Sequence, residues 1–231
     1  MPAPPDPDSL SAVPLFRGLP RGELLRLASS AHRRSFAAGA SVAVAGQPGE
    51  AVYVVLEGSV KASVVRPDGA EVILAILGPG EVVGEMSPAD SLGRSADVVT
   101  LEGTTLLWID RPTFRAGLSA SPALARNLAE VLSRRLRLTN AHLISLASLD
   151  VPGRVASQLL ALAREYGEET PEGATLIPMR LTQTDLAALV GASRARVNQA
   201  LGYYKKRGLI SVGRDGRIIV HDGPALAQRA R

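Results

Sequence analysis

Between about residue 35 and residue 110, apolar positions fall in short runs separated by turn formers. From residue 122 onward they recur at steps of three and four. The first pattern predicts strands at 41–44, 51–56, 60–65, 71–77 and 104–109. Their separators are Gly46-Gln-Pro-Gly49, Glu57-Gly58, Pro67-Asp-Gly69 and Gly78-Pro-Gly80. Strands repeating roughly every 8–12 residues with such turns make an antiparallel roll or barrel. Arg66-Pro-Asp-Gly-Ala70 reads as a hairpin turn in which Gly69 takes positive φ. Upstream, Leu24, Leu25, Leu27 and Ala28 predict one short helix.

The second pattern opens with a long helix from Pro122 to about Leu149. Leu128, Leu132, Leu136, Thr139, Leu143 and Leu146 form one stripe along it. A helix this long and one-sided carries more apolar surface than a small roll covers, so the stripe is expected to meet the same stripe of a second chain. Thr139 and Asn140 bring polar groups into that seam. Such groups cost stability unless they bond something, which makes both candidates for contacting a ligand or fixing register. Leu149-Asp-Val-Pro-Gly153 ends the helix, with Asp150 able to cap a new one and Pro152 suited to its first turn. This next amphipathic helix spans 153–166, and a polar turn, Gly-Glu-Glu-Thr-Pro-Glu-Gly, spans 167–173.

Farther along, Thr182-Gln183-Thr-Asp185 is close to a capping box. Leu186, Ala187, Leu189 and Val190 form a short helix that Gly191 can end. Ser193 then caps a second helix running from Arg194 to Arg207 and stopping at Gly208. Two short helices joined by a glycine-containing turn are the helix-turn-helix pattern. The second helix buries Val197 and Leu201 and projects Arg194, Arg196, Asn198 and Gln199 from or near its first turns. Those side chains suit guanine and adenine edges in a major groove. Residues 209–220 read as a hairpin around Asp215-Gly216. Arg214 and Arg217 at its tip form a wing placed to touch phosphates.

Charge sharpens this division. Residues 1–150 hold 14 Lys and Arg against 15 Asp and Glu, whereas residues 151–231 hold 12 against 7. The basic surplus lies where the nucleic-acid-reading pattern lies. A chain of 231 residues with no cysteine is expected to form two domains, without disulfides, thiolate metal sites or cysteine-held clusters. The Pro- and Asp-rich start reads as a disordered tail over 1–11 rather than a signal peptide, and no apolar run approaches the roughly 18 residues of a membrane helix, so a cytoplasmic protein is expected. Gly78-Pro-Gly-Glu-Val-Val-Gly84 mimics a dinucleotide fingerprint without its βαβ context, and no Walker loop, HExxH or nucleophile elbow occurs; an enzyme is not expected. His32 and His142 are lone histidines and are not assigned as ligands.

The loop Gly84-Glu-Met-Ser-Pro-Ala-Asp-Ser-Leu-Gly-Arg-Ser-Ala-Asp-Val98 sets Glu85 and Arg94 among small residues. Two readings stand: an ion pair pinning a surface loop, or a site for a small anion with a diol. In the second, Arg94 offers a fork to phosphate, Ser95 a hydroxyl, Gly84 close approach, and Glu85 an acceptor for ribose. Residues 49–61 followed by Gly84-Glu85 and Arg94-Ser95, then 134–140, 149–154 and 190–194, resemble the cAMP receptor protein/FNR (CRP/FNR) family of bacterial transcription regulators. The resemblance covers about residues 12–221.

It implies an α+β fold with a cyclic-nucleotide-binding β-roll over 12–120, a dimerisation helix over 121–149 and a winged helix-turn-helix over 150–231. It further implies a homodimer on an inverted-repeat operator in double-stranded DNA, controlled by a cyclic nucleotide, cAMP foremost. By the same resemblance Gly84, Glu85, Arg94 and Ser95 match ribose and phosphate contacts, Thr139 the adenine contact, and Asn140 a position reaching the other subunit's ligand. Arg194 and Gln199 match base-reading positions and Gln183 a phosphate-proximal one. The acidic turn with Glu168, Glu169 and Glu172 matches a contact with RNA polymerase. Two positions depart from the family: Ala75 replaces an adenine-binding serine and Ala195 a base-reading glutamate. The alternative is a same-fold activator that binds DNA without a nucleotide and is controlled by its abundance.

Overall fold

The computed structural model describes residues 7–87 and 92–230. They divide into two compact units, one holding the described residues up to 64 and from 75 to 136, the other residues 65–74 and 137–230.

Residues 32–110 form eight strands, β1 (His32–Phe36), β2 (Ser41–Ala43), β3 (Ala51–Glu57), β4 (Val60–Val65), β5 (Glu71–Leu77), β6 (Val82–Val83), β7 (Asp97–Thr100) and β8 (Thr104–Asp110). They make two four-stranded sheets, ordered β1-β8-β3-β6 and β2-β7-β4-β5, with antiparallel pairing. Strand β3 shows why its run of apolar residues is unbroken. Side chains alternate across a strand, and both faces of β3 are covered. Val52 and Val54 face a cluster with Leu107, Ile109, Phe16, Phe114 and Leu124. Ala51, Tyr53 and Val55 face an inner cluster with Val60, Leu77, Val83, Val98 and Leu106. The hairpin turn closes as expected: the Arg66 amide donates to Ala70 O at 2.9 Å and Gly69 has φ +81°.

Four helices complete this part of the chain: α1 (Pro7–Ser11), α2 (Arg21–Ser30), α3 (Arg111–Ala120) and the long α4 (Pro122–Ser148). The expected tail over 1–11 needs correction. Residues 7–11 are helical and Leu10 is wholly buried in the outer cluster, while residues 1–6 lie outside the described residues. Helix α3 was not foreseen, although its start is marked: the Asp110 carboxylate accepts from the Thr113 amide at 2.7 Å and Pro112 sits in the first turn. Buried Asn127 of α4 donates to Leu15 O at 3.0 Å and Arg17 O at 2.8 Å, tying the helix to the 3₁₀ turn Pro14–Phe16.

The second unit contains α5 (Val151–Tyr166), β9 (Glu168–Glu169), β10 (Thr175–Ile177), α6 (Gln183–Val190), α7 (Arg194–Lys206), β11 (Ile210–Val212), β12 (Ile218–Val220) and α8 (Gly223–Ala227). Its sheet runs β11-β12-β10-β9. Asp150 caps α5 by accepting from the Gly153 amide at 2.9 Å. The polar turn expected at 167–173 is in part a strand, since Glu168 and Glu169 pair with Leu176 and Thr175. Tyr204 of α7 is wholly buried and donates to Pro152 O at 2.8 Å. Burial pushes its phenol up to about 12, so it stays protonated as a donor.

Candidate functional site

The loop after β6 holds the first site. Gly84 adopts φ +80°, and its carbonyl accepts from Arg94 Nη1 at 3.0 Å. Arg94 Nη2 donates to Ala51 O at 2.6 Å, and the guanidinium stands 5.8 Å from the Tyr53 ring centroid. A Cβ on Gly84 would lie 1.9 Å from Arg94 Nη1. Only glycine lets the cation rest on this backbone, which is why Gly84 and Arg94 go together. Glu85 and Arg94 do not form the ion pair that their bracketing of the loop suggests. Glu85, 2% exposed, accepts instead from Arg135 Nη1 of α4 at 2.6 Å. Arg135 Nη2 also donates to Glu81 at 3.0 Å and to Val82 O at 2.7 Å, and Arg134 pairs with the same Glu81.

Arg94 is thus 9% exposed, with no carboxylate of a described residue at ion-pair distance. Burial lowers its pKa from the ordinary arginine value, while Tyr53 and Glu85 favour its charge. A buried guanidinium with two of five donors spent on carbonyls suits an anionic oxygen cluster. These residues fit a cyclic phosphate, with exposed Ser95 beside them; the Ser95 hydroxyl donates to Met86 Sδ at 3.7 Å. Ala75 packs against the inner cluster and offers no hydroxyl. Residues 88–91 lie outside the described residues.

Thr139 and Asn140 are exposed on α4, one turn beyond Arg135. They belong to the second unit, apart from Gly84, Glu85, Arg94 and Ser95 in the first. Leu136 and Leu143 of the same stripe are 61% and 63% exposed, whereas Leu128 is buried. The stripe is therefore packed at Leu128, open at Leu136 and Leu143, and half-buried again at Leu146.

In the second unit the helix-turn-helix forms as its local signals require. Thr182 and Asp185 make the full capping box, the Asp185 amide donating to Thr182 Oγ1 at 3.0 Å and the Thr182 amide to Asp185 Oδ2 at 3.1 Å. Gly191 closes α6 in the left-handed region at φ +62°. Ser193 caps α7, accepting from the Arg196 amide at 3.4 Å. Val197, Ala200 and Leu201 are buried, and Arg194, Arg196, Asn198 and Gln199 are exposed. Gln183 joins the two helices: it donates to Asn198 Oδ1 at 2.9 Å and accepts from Arg194 Nε at 3.4 Å. The wing tip splits the two arginines placed there. Arg214 is exposed, but Arg217 donates from Nε to Pro178 O at 2.6 Å and from Nη1 to Asp215 at 2.7 Å. Arg217 thus braces the wing through Pro178 and Asp215, whereas Arg214 is exposed at its tip.

Three participants escape a reading of the sequence alone. Arg134 and Arg135 stand in a run that shows charge but not partner. His142 Nδ1 lies 2.5 Å from Gln158 Nε2, joining α4 to α5. Burial lowers the His142 pKa, a hydrogen bond to the Leu189 backbone opposes this, and Arg154 adds to it.

A cyclic nucleotide-binding domain model matches residues 33–121, and a Crp-like helix-turn-helix domain model matches residues 153–229. The CRP-like cAMP-activated global transcriptional regulator of Mycobacterium tuberculosis is 38% identical over 224 residues, covering 96% of this chain and 98% of that protein. The chain belongs to the CRP/FNR family. The cyclic AMP receptor protein of Thermus thermophilus is 35% identical over 222 residues, covering 96% of this chain and 98% of its own. The Xanthomonas campestris protein CLP, a c-di-GMP responsive global regulator, superposes with a TM-score of 0.72 at 28% identity, covering 88% of this chain and all of its own. FixK2 from Bradyrhizobium japonicum shares the fold, with a TM-score of 0.77 at 21% identity, covering 87% of this chain and 98% of its own. With both modules present, this member of the family is a DNA-binding transcription regulator and not an enzyme. No helix of the described residues is long and apolar enough to cross a membrane.

Proposed function

We propose that this regulator acts as a homodimer whose binding to an inverted-repeat operator is controlled by cAMP. The observation that carries the reading is Arg94, a buried cation with no carboxylate of a described residue to neutralise it, seated on Gly84. In this reading Arg94 and Ser95 hold the cyclic phosphate, Glu85 takes the ribose hydroxyl, and Thr139 contacts adenine. Asn140 reaches the ligand of the other subunit. The open stripe with Leu136 and Leu143 supplies the seam between subunits. Arg194, Arg196, Asn198 and Gln199 read base edges, while Thr182, Gln183, Ser193 and Arg214 lie against phosphates. The acidic residues Glu168, Glu169 and Glu172 offer a contact for RNA polymerase. Ligand shifts the population toward the DNA-competent dimer only if it binds that form more tightly.

A second reading, DNA binding without any nucleotide, draws on Glu85 being held by Arg135 and on Ala75 in place of a serine. Calorimetry with cAMP and cGMP, paired with operator binding in their presence and absence, separates the two. Binding of cAMP with a gain in operator affinity supports the first. No binding at millimolar nucleotide with tight operator binding establishes the second. Sedimentation of Leu143→Glu tests the seam: a dimer for the parent chain and a monomer for the variant are expected.

A further inference from the structure

The far end of α7 carries a second arrangement of cations that base reading does not use. Arg207 follows the last residue of α7, and its guanidinium carbon lies 4.7 Å from the Tyr203 ring centroid. Arg229, in the 3₁₀ turn Gln228–Ala230, lies 5.2 Å from the same centroid and donates from Nη2 to the Tyr203 hydroxyl. Neither guanidinium has a carboxylate of a described residue at ion-pair distance. Two like charges are held by one ring and one hydroxyl, beside exposed Lys205 and Lys206.

An open surface pocket of about 520 Å³ is lined by Arg207, Leu209, Ala225, Gln228 and Arg229. Its walls are anchored. The Arg229 carbonyl packs so closely on α5 that a Cβ on Gly153 would lie 2.9 Å from it. Tyr203 stacks edge-on against buried Tyr204 at 5.6 Å.

We propose that this cavity is a second anion site, taking a phosphorylated small molecule of about mononucleotide size. Arg207 and Arg229 would grip the phosphoryl oxygens, as paired guanidinium forks do. Leu209 and Ala225 give an apolar floor, and Gln228 an amide that can both donate and accept. The volume falls within the range of small-ligand sites, about 300–1,000 Å³. A phosphate of the operator backbone is the competing source of the same chemistry. Geometry favours the small molecule: the group is a concavity, and Arg207 lies eight residues, roughly 12 Å along the helix axis, beyond Gln199, the last base-reading residue of α7. The proposal is independent of the ligand in the roll.

The test uses the full chain with inorganic pyrophosphate and AMP as probes and adenosine as the uncharged control. Amide NMR shifts at Leu209, Ala225 and Gln228 report this site separately from the roll. Saturable shifts with both phosphates and none with adenosine are expected, weakened at least tenfold by Arg207→Gln and by Arg229→Gln. Both arginines are exposed, and unchanged melting temperatures would show that the variants fold. Operator affinity and its salt dependence should be the same in parent and variants. The proposal fails if the phosphates produce no shifts at these amides, or if either substitution leaves the shifts intact. It also fails if the substitutions weaken operator binding uniformly and lower the salt slope by about one, which would make the pair a DNA-backbone contact.

Discussion

Replacing Gly84 with alanine perturbs the proposed phosphate site through a single methyl group. Two costs can be worked from the structure. At φ +80° an L-residue carries a left-handed penalty of about 1–2 kcal/mol. The methyl would also sit 1.9 Å from Arg94 Nη1 and 2.9 Å from its Cζ, so the guanidinium must swing away from the Gly84 carbonyl. A lost hydrogen bond to a charged group costs about 1.5–3 kcal/mol. Together the expected loss is roughly 3–4 kcal/mol. Gly69→Ala is the control, because Gly69 has φ +81° and open space around its Cβ direction; it incurs the backbone penalty alone. For a domain near 100 residues 1 kcal/mol is worth about 4 °C in Tm. Calorimetric melting should therefore place Gly84→Ala about 12–16 °C below the parent and Gly69→Ala about 4–8 °C below. Titration of cAMP should show binding weakened about 30–100-fold in Gly84→Ala and unchanged in Gly69→Ala, the equivalent of about 2–3 kcal/mol. Equal melting shifts in the two variants would refute the claim that Gly84 exists to seat Arg94, whatever the ligand is.

The wing arginines should separate. Arg217→Ala should lower stability by about 1–2 kcal/mol through its bonds to Pro178 O and Asp215, while Arg214→Ala should leave melting unchanged and lower the salt slope of operator binding by about one. Arg194→Ala should cost about 1–3 kcal/mol at one half-site position in a binding-site selection, and a loss equal across all sequences would make Arg194 a phosphate contact. Thr182→Ala removes the acceptor of the Asp185 amide and should cost about 1 kcal/mol in urea unfolding. Because burial depresses the His142 pKa, its neutral form contributes stability that is fully present above the ordinary histidine value of about 6.5 and is lost as pH falls below it. Melting of His142→Gln should accordingly change less between pH 7.5 and 5.5 than melting of the parent, and equal changes would remove His142 from the account.

Where one physical signal dominated, the fold was legible in the chain. Thr182 and Asp185, Gly191 and Ser193 each satisfy backbone groups within a few residues, so the helix-turn-helix could be read locally. Longer strands with a covered apolar face were equally readable. The strands that escaped are polar or short: His32–Phe36 is mostly exposed and held by its pairing with β8, while Val82–Val83, Asp97–Thr100 and Thr175–Ile177 are too brief to show a period. Leu10 escaped because its burial depends on a cluster that joins Phe16 and Leu24 to Phe114, about a hundred residues farther along the chain. A Pro- and Asp-rich composition describes the average of such a segment and not the one side chain that finds a partner.

The site shows the same boundary between local and distant information. Residue types named Gly84, Glu85 and Arg94, yet only the folded chain shows that the two charges do not meet. Glu85 turns to Arg135 of the long helix, and Arg135 in turn shares Glu81 with Arg134. The carboxylate assigned to the ribose is therefore also the first link to the helix that carries Thr139. A ligand hydroxyl on Glu85 must share or displace Arg135, and Arg135 can keep its charge satisfied only by leaning further on Glu81. Because Glu85 is 2% exposed and pairs with Arg135, that arginine cannot exchange it for water without leaving a buried carboxylate unpaired, which is costly. On the proposed reading, a ribose hydroxyl bound at Glu85 would therefore act on Arg135 of α4, and would do so by redistributing the Arg134 and Arg135 guanidinium groups between two buried acids.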